Sequence, residues 1–338
     1  MGRLLYNNLP IFFCTHMAFS RTSGRRQTWT PQSQNPKDVY YFSEQNTIYL
    51  FFYKKYYIIY IESEKEDKKM KDISYYWADK AQRAVIAQEH TQQMNEQFAS
   101  EIAESVINSK IYSKDFKATT PARKLEEADI ALDAVGSVEA IVACNSTDGK
   151  LAVLNFASYK NPGGMFVRGS RAQEECLCHE SFLYNVLSQV PNYYDWNEKH
   201  KNRALYENRA IYSPNIRFEH SGIEKYCDVI TCAAPNFTAA AKYCNVDRDE
   251  NKKVLESRIR FVFEVAKQNQ VDTLILGAFG CGVFGQDAND VAEIFINLLV
   301  TDYATEFKKV IFAIPIINND SVNYSKFQNM FDELLEEN

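Results

Sequence analysis

The chain predicts an α/β domain whose sheet is mostly parallel and covered by helices on both faces. Continuous apolar, strand-like runs alternate with helical patterns through its second half, which is the signature of a sheet with two buried faces. Glycine is scarce, at 12 of 338 residues, yet seven of those glycines fall in the windows 163–169 and 277–285. Each window directly follows a strand-like run, where loops of such sheets meet ligands.

Taken in order, residues 73–109 read as a helix. Met94, Phe98, Ile102 and Val106 recur every four residues, with Ala81 and Val85 on nearby turns, and the apolar stripe is expected to pack on the domain. Residues 140–145 and 150–156 read as buried strands separated by a turn at 146–149. Residues 172–190 read as one helix ending before Pro191, and 191–209 as a long connection or short helix. A strand at 227–235, a helix at 249–268, a strand at 271–279, a helix at 288–299, a strand at 308–315 and a helix at 324–335 follow. No internal repeat is visible.

Composition narrows the function classes. At 46% apolar and 24% charged the chain is neither disordered nor fibrous. A net charge of −6 disfavours broad electrostatic binding to nucleic acid, and no sequence-specific contact to it is expected. The eight cysteines, several inside apolar stretches, read as buried thiols of a reducing, cytoplasmic compartment. Cys176 and Cys178 stand beside His179, but no second pair follows at zinc-site spacing, so no metal site is expected. Residues 1–36 carry Arg3, Arg21, Arg25 and Arg26 without any Asp or Glu, a pattern open to organellar targeting. The aromatic stretch 48–61 is broken by Lys54 and Lys55 and is shorter than the ~20 apolar residues of a membrane span. The character changes at Met70. The expected organisation is an extension or mis-called start at 1–69, a helical accessory region at 70–135 and the working domain at 136–338.

The second glycine window, 277–285, has glycines at 277, 280, 282 and 285 and no basic residue. Such a loop can offer backbone N–H groups to phosphate oxygens as a nest. It lacks the Lys-Ser/Thr end of a Walker loop. Gly280, Gly282 and Gly285 match a bare G-x-G-x-x-G, but the next strand ends without the acid a dinucleotide ribose requires. The first window couples Asn155 at a strand end, the turn Asn161-Pro162-Gly163-Gly164 and the triplet Gln173-Glu174-Glu175 at a helix start. Neighbouring helical residues point about 100° apart. The two acids are therefore expected to divide their work, one facing a reacting carbon and the other gripping a hydroxyl, rather than flanking one bond as a glycosidase pair.

These segments resemble the macrodomain-type poly(ADP-ribose) glycohydrolases of the microbial branch, whose signature is three glycines, six to eight residues, then Gln-Glu-Glu. Here seven residues separate Met165 from Gln173. The loop at 277–285 is similar to the family's second phosphate loop, and 111–116 and 232–236 match as well. The likeness spans about residues 74–338. It implies a three-layer α/β/α macrodomain-like fold with an N-terminal helical extension, acting as a monomer on ADP-ribose, poly(ADP-ribose) or ADP-ribosylated macromolecules, with no cofactor and no membrane. It implies that Glu175 is the acid and then the base, that Glu174 orients the scissile ribose, and that Gln173 supports the turn. It puts Asn155 and Asn161 near the ribose and Gly163 and Gly164 against the diphosphate. Gly280, Cys281, Gly282 and Val283 cradle it, and Phe284 packs on the distal ribose. Partial burial is expected to raise the acid's pKa. Met165 stands where the family has its third glycine, and its side chain is expected to narrow the cleft. The competing readings are a macrodomain that binds ADP-ribose without turnover, a mono-ADP-ribosyl hydrolase, and a Rossmann-like nucleotide enzyme.

Overall fold

The structure is a computed structural model that describes residues 75–145, 149–316 and 321–336, together with five short strands before residue 63. The chain divides into two compact units, Met1–Asp72 and Ile73–Asn338. In the first unit β1 (Ala18–Ser20) pairs antiparallel with β2 (Arg26–Thr28), and β3 (Val39–Glu44), β4 (Thr47–Phe52) and β5 (Ile59–Glu62) form an antiparallel meander. The targeting pattern of residues 1–36 and the turn at 146–149 fall largely outside the described residues. Among the described residues no helix is long and apolar enough to cross a membrane.

The second unit is a seven-stranded sheet in the order β6-β9-β10-β8-β11-β12-β7. Its strands are β6 (Lys110–Tyr112), β7 (Asp129–Asp133), β8 (Leu151–Phe156), β9 (Ala210–His220), β10 (Ile223–Cys232), β11 (Thr273–Leu276) and β12 (Lys309–Ala313). From β10 across to β7 every pairing is parallel, and only β9 runs against the rest. The carboxyl ends of β7, β8, β10, β11 and β12 therefore share one edge. Residues 70–135, expected as an accessory region, supply both edge strands of this sheet, so the working unit begins well before residue 136.

Helices α1 (Lys80–Asn108), α2 (Ser137–Ala143), α3 (Gln173–His179) and α4 (Leu183–Leu187) cover one face. There Val153, Ile211, Val229 and Ile275 of the sheet meet Ile102, Ile141, Leu177 and Val186. On the other face α7 (Arg248–Gln268), α8 (Ala288–Val300) and α9 (Val322–Glu336) pack on Ala152, Leu154, Ile230, Leu274 and Phe312. The strands β8, β10, β11 and β12 are thus apolar on both sides, which is why their runs read as continuous. α1 packs its Met94–Ile102 stripe on the domain, kinked at Phe98.

Several sequence expectations need correction. Residues 140–145 are not a strand: they lie largely in α2, which Gly136 caps and whose Val138, Ala140 and Ile141 are buried. A seven-residue helix with three buried apolar positions shows the same apolar run as a strand, and only the crossover from β7 to β8 demands the helix. The single helix at 172–190 is two. Ser181 breaks it, accepting from Leu183 N–H at 3.0 Å and donating to Leu177 O at 2.6 Å. α5 (Pro191–Lys199) and α6 (Phe237–Cys244), with strands β6, β7 and β9, were not anticipated as elements, apart from the short-helix option at 191–209.

β9 hid behind Pro214 and Asn215. Both residues oppose Asp228 alone, which makes a bulge where a missing N–H costs nothing. Asn215 has φ +55°, and its N–H donates to Asp228 Oδ1 at 2.8 Å. The buried Asp228 carboxylate also accepts from Tyr212 Oη and pairs with Lys150 at 3.4 Å. Asp228→Ala strands the buried Tyr212 hydroxyl and the Asn215 N–H. It should lower the unfolding free energy by about 2–4 kcal/mol, read from the urea midpoint.

Candidate active site

Gln173 starts the site by clamping α3 to the end of β8. Its side chain accepts from Phe156 N–H at 2.9 Å and donates to Leu154 O at 2.9 Å and to Ser137 Oγ at 3.1 Å. With residue 173 pinned, the next two side chains have little choice. Glu174, 3% exposed, accepts from Ser158 N–H at 2.7 Å and from Asn155 Nδ2 at 3.3 Å. Glu175, 6% exposed, accepts from Met165 N–H at 2.9 Å and reaches back to Ala172 N–H at 2.8 Å, as an acid at the third helical position does.

The two carboxyl groups converge more than a 100° separation suggests. A Cβ built on Gly164 would lie 2.5 Å from Glu175 Oε1 and 2.9 Å from Glu174 Oε2, so both oxygens border the bare face of that glycine. Gly164 has φ +63°, which also excludes most side chains. Met165, by contrast, has φ −111°, open to any L-residue. Its half-buried side chain turns toward Asn161, with Sδ 4.0 Å from Nδ2, and its backbone serves Glu175 directly. The third position of the glycine motif therefore needs its N–H, not glycine's torsional freedom.

Asn161 closes the turn: its N–H reaches Ser158 Oγ at 3.2 Å and its carbonyl accepts from Gly164 N–H at 3.0 Å. Asn155 is fully buried and meets the site only through Glu174. Of the two asparagines that the resemblance puts near the ribose, Asn161 is the one that is not enclosed. The first cluster thus gathers Asn155, Asn161, Gly163, Gly164, Gln173, Glu174 and Glu175.

The second cluster follows β11. Within Gly280–Phe284 the N–H groups of Gly280, Gly282, Val283 and Phe284 have no acceptor among the described residues. Val283 is 86% exposed at the tip, while Cys281 turns its side chain onto the core, where burial pushes the thiol up to about 12. A Cβ on Gly282 would meet nothing within 4 Å. The loop is held from behind by the buried Gln286, which donates to Pro235 O at 2.7 Å and exchanges amide hydrogen bonds with Asn251.

Aromatic rings link the two clusters. Tyr159, in the first loop, stacks on Tyr206 at 4.1 Å, and Tyr206 meets Phe284 edge-on at 6.1 Å. Tyr206 sits at φ +59° behind a left-handed turn in which Asn202, Arg203 and Ala204 also have positive φ. Each such residue costs about 1–2 kcal/mol. Fully buried Arg258 holds this segment, donating to Ala233 O, to Asn208 Oδ1 at 2.7 Å and to Leu205 O at 3.4 Å. Beside Gln173 opens a cavity of about 410 Å³, walled by Phe156, Ile314, Tyr76 and Tyr324. Sequence reasoning missed Ser158, Tyr159, Tyr206, Arg258 and Gln286. Ser158 and Gln286 border the two motifs, whereas Tyr206 and Arg258 carried no local signal.

Burial raises the Glu174 carboxyl from 4.5 to about 8, against the opposing pull of the Ser158 N–H and aided by neighbouring Glu175. Among the described residues no group of three or more His, Cys, Asp or Glu side chains could hold a metal ion.

Known proteins resemble this chain in sequence and fold. The family model of the microbial-type PARG catalytic domain matches residues 78–219. A poly(ADP-ribose) glycohydrolase from Thermomonospora curvata superposes with a TM-score of 0.68 at 28% identity, over 74% of this chain and 100% of that one. The same organism's enzyme bound to the inhibitor ADP-HPD is 30% identical with a TM-score of 0.66, over 74% and 99%. Poly(ADP-ribose) glycohydrolase from Deinococcus radiodurans in complex with ADP-ribose is 30% identical with a TM-score of 0.64, over 70% and 98%. No curated protein sequence matches the chain.

The Glu174 pKa sets a pH dependence of stability. The folded chain keeps a proton that the unfolded chain releases, so this group's contribution falls as pH rises from 4.5 to about 8. Glu174→Gln should flatten the decline in urea midpoint between pH 5 and pH 8. An equal decline in both proteins would show that the carboxyl is not the source.

Proposed function

Because the chain belongs to the microbial-type poly(ADP-ribose) glycohydrolases, and is thereby a glycosidase, we propose that it hydrolyses the O-glycosidic ribose–ribose bonds of poly(ADP-ribose) and releases ADP-ribose. The observation that carries the reading is the convergence of two buried carboxyl groups on Gly164, at the same sheet edge as a loop of unpaired N–H groups.

In this reading the diphosphate lies between the turn at Gly163 and Gly164 and the nest at Gly280–Phe284. Backbone N–H groups there bind an anion without any basic side chain, which reconciles an acidic protein with an anionic ligand. The cavity beside Gln173 takes the adenosine, with apolar walls for the base. The distal ribose packs on Phe284, with Asn161 at the edge of its site and its hydroxyls held by Glu174.

Glu175 does the chemistry. Its carboxyl protonates the oxygen leaving the anomeric carbon, and the C–O bond breaks toward an oxocarbenium-like state that the resulting carboxylate stabilises. Water then attacks that carbon and yields its proton to the same carboxylate, which restores the acid. The N–H groups of Met165 and Ala172 stabilise the ionised form between the two steps.

Incubation with labelled poly(ADP-ribose), mono-ADP-ribosylated protein and ADP-ribosylated DNA tests the substrate class. Free ADP-ribose from the polymer is expected, and binding without product would overturn the reading. Glu175→Ala should abolish release while leaving ADP-ribose affinity near wild type. Gly282→Val meets open space in the free protein, so it should fold normally and weaken ADP-ribose binding by about tenfold or more in calorimetry.

A further inference from the structure

Thr231 and Asn155 are register neighbours on the parallel strands β10 and β8, and neither is exposed. Asn155 Nδ2 divides its two hydrogens, one to Thr231 Oγ1 at 3.2 Å and one to Glu174 Oε1 at 3.3 Å. Among the described residues the amide oxygen has no partner, so none of them fixes the amide from that side. With Nδ2 turned to Glu174, the Thr231 hydroxyl oxygen accepts the second amide hydrogen, so that both hydrogens of the buried amide are paired.

We propose that Thr231 is a positioning residue for the glycosidase reaction: acting through the Asn155 amide, it sets the orientation and charge of the Glu174 carboxyl that meets the ribose. This rests on the reading that Glu174 holds the ribose hydroxyls. Glu175 also acts on this carboxyl electrostatically, Glu174 in turn acts on Cys178, Tyr193 and Tyr194, and the Tyr194 hydroxyl is buried without a partner among the described residues. All four therefore leave Asn155 as the side chain that donates to Glu174. Its hydrogen bond favours the ionised form and opposes the effect of burial. Removing the Thr231 acceptor leaves one amide hydrogen buried and unpaired, so the amide rotates or withdraws, and Glu174 loses its donor.

The test uses Thr231→Val, which keeps shape and strand propensity, and Thr231→Ser, which keeps the acceptor. In the full chain, Thr231→Val should raise KM for poly(ADP-ribose) about tenfold, with a smaller change in kcat, and weaken ADP-ribose binding comparably. The limb of the pH profile that Glu174→Gln abolishes should move to higher pH in Thr231→Val. Thr231→Ser should restore all three. If Thr231→Val does not fold, Thr231→Ala removes the same acceptor with a small void and is expected to give the same three changes. A folded Val or Ala variant with wild-type KM, affinity and pH profile would overturn the proposal, as would a Ser variant impaired like Val. Failure of the underlying reading has a different signature: Glu174→Gln would itself bind and turn over substrate as wild type does.

Discussion

Glu174 and Glu175 reach their places only because Gly164 has no side chain. Any Cβ there would collide with oxygens of both carboxyl groups. Their approach brings like charges together inside the protein, and the protein answers with backbone N–H groups: Ser158 for the first acid, Met165 and Ala172 for the second. Those donors come from the loop after β8 and the first turn of α3. Gln173 locks the end of β8 and that helix to one another. The arrangement is local in sequence and needs few distant contacts to hold its shape.

The second loop is built differently. It presents N–H groups without an acceptor among the described residues, and its support comes from far along the chain. Gln286 ties it to Asn251 on α7 and to Pro235 beyond β10. Arg258, a cation enclosed without a carboxylate partner among the described residues, steadies the left-handed turn that brings Tyr206 to Phe284. Burial lowers its pKa, and carbonyl and amide oxygens take the place of a counter-ion. Breaking that set would leave a buried charge uncompensated, so the turn and the loop share a fate.

This contrast explains what the amino-acid pattern disclosed. The apolar runs of β8, β10, β11 and β12 and the helices α7, α8 and α9 stood out because each has one dominant period and both sheet faces are buried. Glycine clustering and the Gln-Glu-Glu triplet marked both loops, because a close backbone approach writes itself into a short segment. β9 was obscured by Pro214, which is harmless at a bulge but contradicts a strand when read alone. α2 looked like a strand because a helix of seven residues is too short to reveal its period. Arg258, Tyr206 and Thr231 act across 25 or more residues of intervening chain, and nothing beside them in sequence announces the partner.

Met165 gives its N–H to Glu175 from a backbone conformation that every residue except proline can both adopt and donate from. The bond to the acid and the group projecting beside Asn161 are therefore separable inheritances. Drift at this codon can change the group beside Asn161 and leave the backbone donor of the Glu175 carboxyl in place.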